Sequence, residues 1–154
     1  MPAEIVEPVL TVYDYHDGPR SGVALNNGVP CHFSCEWDEA RDDYADTYKL
    51  LPLSEQTVDL ALESWQMWLR WRAAFDRGEV KIFSAETYHP VLPQDDQRHS
   101  QISPLLGVAF AGEGQTRHRA TGKFTRRNGN RVGSSWIGPW DVAWEGCPAF
   151  SVTA

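Results

Sequence analysis

Residues 54–78 read SEQTVDLALESWQMWLRWRAAFDRG, and this stretch decides the fold. Ser54 suits a helix N-cap, Glu55 lies in the first turn where the helix dipole favours a carboxylate, and Gly78 suits the C-terminal stop. Leu53 and Val58 hold the two positions of a hydrophobic staple. At 100° per residue, Val58, Leu62, Trp65 and Leu69 share one face, while Leu60, Met67, Trp71 and Phe75 lie roughly opposite. Asp59, Glu63, Gln66, Arg70 and Arg77 form the one continuous polar stripe. A surface helix needs a single apolar stripe, so a helix that is apolar around most of its circumference must be enclosed. The spacing therefore predicts one long helix across a curved sheet, with the polar stripe outward. Trp65, Trp68 and Trp71 could stack a planar ligand or a sugar, but helical aromatics are more often core.

The flanking sequence supplies the sheet. Val9–Tyr15 is β-branched and aromatic, Arg20–Leu25 follows a His16-Asp17-Gly18-Pro19 turn, and Asn27-Gly28 is a type I′ hairpin signal. That two-residue loop sets Ala24 opposite Cys31 and Gly22 opposite Phe33, where a ring can cover bare backbone. In the third strand Cys31, Phe33, Cys35 and Trp37 point to the core, and His32, Ser34 and Glu36 point away. Glu36–Asp46 is acidic and reads as a loop or one helical turn, and Thr47–Leu51 as a fourth strand closed by Pro52. C-terminal to the helix, Val80–Phe83 is strand-like, residues 84–104 read as a long irregular connection with one helical turn near 94–100, and Leu105–Phe110 as a strand. Residues 117–127 and 131–137 suggest a second hairpin turning at Asn128-Gly129, before a last strand in which Trp140, Val142 and Trp144 alternate with polar or small residues. The expectation is a single α+β domain over 1–154, with seven or eight mostly antiparallel strands packed on one long helix, 54–78.

Composition bounds the function classes. The chain has 154 residues, seven of them Trp, and a net charge of −7, which disfavours sequence-independent nucleic-acid binding. No stretch has the ~18 apolar residues of a membrane span, residues 1–7 lack the pattern of a secretory leader, and three cysteines show no pairing pattern. A soluble, cytoplasmic protein is the simplest expectation. Cys31 and Cys35 would stand about 13 Å apart on a regular strand, too far for one zinc ion, so no metal and no cofactor is assigned.

Three sets of residues carry the functional readings. Arg117, Arg119, Lys123 and Arg127, with Thr121 and Thr125 between them, fall on one strand face, and six of the chain's 14 basic residues lie between 117 and 131. The leading expectation is a small non-enzymatic binding or accessory module that recognises an anionic ligand or a protein surface through this basic hairpin, 117–131. A solvated, charge-protected strand is the competing reading. Asp14, His16 and Asp17 could serve a small hydrolase as acid, base or ligands to a divalent ion, although such residues also stabilise turns. Asp38, Asp42 and Asp43 belong to an acidic run that lacks a calcium loop, and they suit an acidic inhibitor or immunity-type protein with a basic partner. The polarised charge also leaves open a homo-oligomer in which the basic strip of one copy meets the acidic end of another.

Overall fold

The computed structural model describes residues 5–80, 90–127 and 138–153, with side chains of β6 described as far as Glu145 and the backbone to 153. Six strands form a closed antiparallel barrel: β1 (Glu7–Tyr15), β2 (Pro19–Asn26), β3 (Val29–Asp38), β4 (Asp43–Pro52), β5 (Thr116–Arg126) and β6 (Trp140–Thr153). Between β4 and β5 the chain leaves the barrel for α1 (Glu55–Asp76), a 3-10 turn (Pro93–Asp95) and α2 (Asp96–Ala111). Among the described residues, no helix is long and apolar enough to cross a membrane.

The first three strands follow the local chemistry. Asn27 and Gly28 take φ of 53° and 78°, as a type I′ turn requires. The Glu7 carboxylate accepts from both turn amides, at 3.0 and 2.8 Å. Ala24 pairs with Cys31 and Gly22 with Phe33. A Cβ at Gly22 would collide with the Thr11 carbonyl and the Phe33 ring, so glycine is required there by close approach.

The helix forms as its caps indicate: Ser54 Oγ accepts from the Thr57 amide at 3.2 Å, and Trp65, Trp68 and Trp71 are all buried. Its enclosure differs from the expected wrap. The sheet closes on itself, and its interior is filled by its own side chains: Phe33, Tyr48 and Leu50, with Phe124 and Trp144 packed against them. The rings of Phe33, Tyr48, Phe124 and Trp144 stand 5.3–6.0 Å apart between centroids. The Trp144 indole N–H donates across the barrel to the Leu25 carbonyl at 3.0 Å. These rings occupy the space the long helix was expected to fill, so α1 lies outside the barrel.

There α1 covers a seam. β1 pairs with β6 at Glu7–Val142 and Pro8–Asp141, a short ladder. Beside it, Trp65 and Trp68, stacked 5.0 Å apart, pack with Val12 and Trp140. α2 lies over Val23, Ala61 and Met67 through Ile102 and Leu106; the ion pair Arg98–Glu63 (2.7 Å) joins it to α1, and Arg70–Asp95 (2.9 Å) joins α1 to the 3-10 turn at its N-terminus.

Several expectations are corrected. Residues 96–111, including the run 105–110 read as a strand and part of the connection 84–104, form α2. A short apolar run has no period that separates a strand from a packed helix. The acidic stretch 36–46 is neither loop nor helix as a whole, because β3 and β4 run into it and leave only a tight turn at 39–42. Trp37 is 51% exposed rather than core: it stands one residue from the end of β3, beyond an irregularity in the β3–β4 ladder between Cys35 and Trp37. The described strands number six. The short strand expected at 80–83 and the turn at Asn128-Gly129 lie outside the described residues, apart from Val80. The partner of β5 is β6, in register from Arg126–Trp140 inward.

Candidate functional site: the barrel mouth

Two connections project at one end of the barrel, the β1–β2 turn at 16–18 and the β3–β4 turn at 39–42. Between them opens a cleft of about 580 Å3. Its floor is the end of the aromatic core, with Tyr48, Phe124 and Gly122. Gly122 lets the Trp144 and Tyr48 rings pack against the bare β5 backbone, since a Cβ there would meet them at 2.6 and 3.0 Å. Tyr15, Tyr44 and Trp140 form the walls, and Asp17, Arg41, Asp43 and Asp46 stand at the rim.

The charged groups of the cleft are unequal. The Arg20 guanidinium is locked: it donates to the carbonyls of His16 (2.6 Å) and Asp17 (3.2 Å) and to Cys35 Sγ (3.6 Å), and lies 4.6 Å over the Tyr44 ring. It holds the β1–β2 turn in shape, with few donors left over. Tyr48 donates to the Pro19 carbonyl at 3.0 Å, and Cys35 Sγ to the Ala45 carbonyl at 3.1 Å. Burial raises the pKa of both groups, so neither is an activated nucleophile or base. Asp43 accepts from the Tyr44 amide at 2.7 Å. The carboxylates of Asp17 and Asp46 and the guanidinium of Arg41 have no partner among the described residues.

The structure places the three predicted sets as follows. Asp17 lines the cleft, whereas Asp14 and His16 are exposed outside its lining. The His16 amide bonds Gly18 O at 2.9 Å and its ring lies 5.7 Å from Tyr44, while Asp17 takes φ 54°. This is turn geometry. His32, Glu36 and His16 do not converge: His32 stacks on Phe110 of α2 at 4.4 Å, and Glu36 pairs with Arg119. Among the described residues, no group of three or more His, Cys, Asp or Glu side chains is placed to hold a metal ion.

The basic strip is drawn into the fold. Arg117 donates to the Phe110 and Ala111 carbonyls, both at 2.8 Å, at the end of α2. Arg119 forms a two-bond pair with Glu36 at 2.7 and 3.2 Å, and Arg127 pairs with Asp141 at 2.8 Å. Lys123 is exposed. Arg126 lies 4.9 Å over Trp140 and backs one wall of the cleft.

Of the acidic set, Asp43 lines the cleft, and Asp38 and Asp42 lie outside its lining in the same β3–β4 hairpin. Asp38 Oδ1 caps the amides of Ala40 and Arg41 at 3.0 and 3.3 Å, and Asp42 takes a left-handed φ of 51° in the turn. Sequence reasoning missed Tyr15, Tyr44, Asp46 and Trp140 as one site. They come from strands whose convergence depends on barrel closure, and only the acid density of 36–46 marked the place. Comparison with protein families, curated proteins and solved structures finds no match to this chain.

Proposed function

We propose that this chain is a binding module that takes a positively charged group into the barrel mouth. The observation that carries the reading is the pair of carboxylates, Asp17 and Asp46, without partners among the described residues at the rim of an aromatic-walled cleft. Aromatic faces attract cations through their quadrupole, and a carboxylate supplies the charge-assisted hydrogen bond that orients one. The cleft falls within the size range of small-ligand sites. Recognition of an anion through Arg117, Arg119, Lys123 and Arg127 has less support, because Arg117, Arg119 and Arg127 are held by internal partners.

The test uses N-acetylarginine amide and its uncharged isostere N-acetylcitrulline amide, with binding followed by NMR shifts of cleft residues. The arginine compound binds, and the citrulline compound binds at least roughly 10-fold more weakly, the factor expected for one charge-assisted bond. The double variant Asp17→Asn with Asp46→Asn removes the difference. Equal binding of the two compounds, or no binding of either, defeats the reading.

A further inference from the structure

The cleft does not end at its rim. Tyr44, one of its walls, meets the ring of Trp37 edge-on at 5.0 Å and 81°. Trp37 and Tyr44 face each other across the β3–β4 ladder, and Trp37, outside the cleft, is 51% exposed. An aromatic ledge thus continues the wall outward along the hairpin. Beyond it the next pair in the ladder is Asp38 opposite Asp43. Like charges set directly opposite disfavour the free hairpin, and a cation between them would reverse that cost. Asp42 and Glu39 in the turn are also exposed, against a single cation, Arg41.

A lone small cation would fill the cleft and leave Trp37 in water. Large exposed indoles beside a pocket are the common anchors of protein recognition, where they bury area against a chain. We infer that the occupant is a basic peptide segment of a protein partner, which inserts one arginine or lysine side chain into the mouth and lays its backbone and a second basic residue across Trp37 and the Asp38–Asp43 pair. This inference rests on the mouth reading and names the partner class for that site. An acidic rim with an aromatic ledge fits a basic protein segment; a polyanion such as nucleic acid would meet repulsion there.

The experiment compares N-acetylarginine amide with a capped pentapeptide carrying two arginines, Ac-Ala-Arg-Ala-Arg-Ala-NH2, by calorimetry and NMR on the full chain. The peptide binds at least roughly 10-fold more tightly than the single residue. Trp37→Ala removes most of that gain and leaves the affinity for N-acetylarginine amide within about twofold, and Trp37→Phe, which keeps a ring on the ledge, retains the larger part of it. Binding of the single residue with no gain for the peptide, or an equal loss for both probes in Trp37→Ala, overturns the inference and spares the mouth reading. Binding of neither probe overturns both. Because Trp37 is half in water, its removal leaves the barrel core intact, which circular dichroism of each variant checks.

Discussion

His32 shows how a single residue couples a strand to a helix. Its imidazole stacks 4.4 Å from the Phe110 ring at 16°, and burial, with the nearby Arg117 charge adding to it, lowers its pKa from 6.5 to about 4. The folded protein therefore holds His32 neutral at a pH where the unfolded chain has protonated it. The unfolded state binds the extra proton as pH falls from 6.5 toward 4, so the stability His32 contributes is complete above 6.5 and is lost through that interval. The loss is on the order of 3 kcal/mol at 1.36 kcal/mol per unit. Urea titrations of the wild type and His32→Phe at pH 7 and pH 4.5 test this: the variant should lose less stability on acidification, and parallel losses would contradict it. Nothing in the sequence around His32 marks this role. The alternation of β3 put His32 on the face away from Phe33, and that much was legible, but the helix that covers it was read as a strand. The same limit applies to Trp37. Period-2 counting sends it inward, but Trp37 lies near the end of β3, beyond a two-residue shift in the β3–β4 register, and is left half in solvent.

At the scale of elements, legibility tracked how local the determinants were. The Asn27-Gly28 hairpin and α1 carry their own turn and cap residues, and both form as read. α2 carries weak signals: it contains Pro104, and its apolar run 105–110 is as short as a strand. What fixes α2 is tertiary, namely Ile102 and Leu106 against the β2 face and α1, the ion pairs to α1 from Arg98 and from Asp95 in the 3-10 turn at its N-terminus, and Arg117 at its end. Arg117 reaches from β5 to the carbonyls of Phe110 and Ala111, groups that a helix C-terminus leaves without intrahelical donors, and Gly112 finishes the helix at φ 56°. Arg117→Met keeps the aliphatic stem and removes both bonds. The expected outcome is a local destabilisation of about 1–3 kcal/mol, read as faster amide hydrogen exchange at the C-terminal end of α2 with the barrel amides unchanged. Unchanged exchange in α2 would show that the guanidinium is not what holds that end. The result also bears on function, since an arginine that secures a helix is a poor candidate for capturing an external anion.

For the whole molecule, barrel closure and charge distribution act together. Closure was not legible because it depends on two non-local ladders: β4 with β5, separated by the helical excursion, and β1 with β6. Once closed, the barrel gathers two turns at one end, and charge that looks diffuse along the chain becomes concentrated. Residues 1–46 hold ten acids and two bases. One of those bases, Arg20, is locked into the β1–β2 turn, and the other, Arg41, stands at the cleft rim. Among the described residues, Arg41 is therefore the rim cation that opposes a positively charged ligand. Arg41→Glu should tighten binding of the two-arginine peptide severalfold at 0.05 M salt, and the gain should shrink toward nothing near 0.5 M, where the Debye length falls to about 4–5 Å. The wild-type affinity should weaken over the same range. Association rates carry the signature most directly, because a focused field acts on the encounter before contact is made. Calorimetry and stopped-flow fluorescence of the indoles at the two salt concentrations provide the measurement. If Arg41→Glu weakens binding, then Arg41 holds an anionic group of the ligand and the mouth is built for a zwitterion. If salt leaves both proteins unaffected, the aromatic walls alone carry the affinity and the carboxylates of the rim are bystanders.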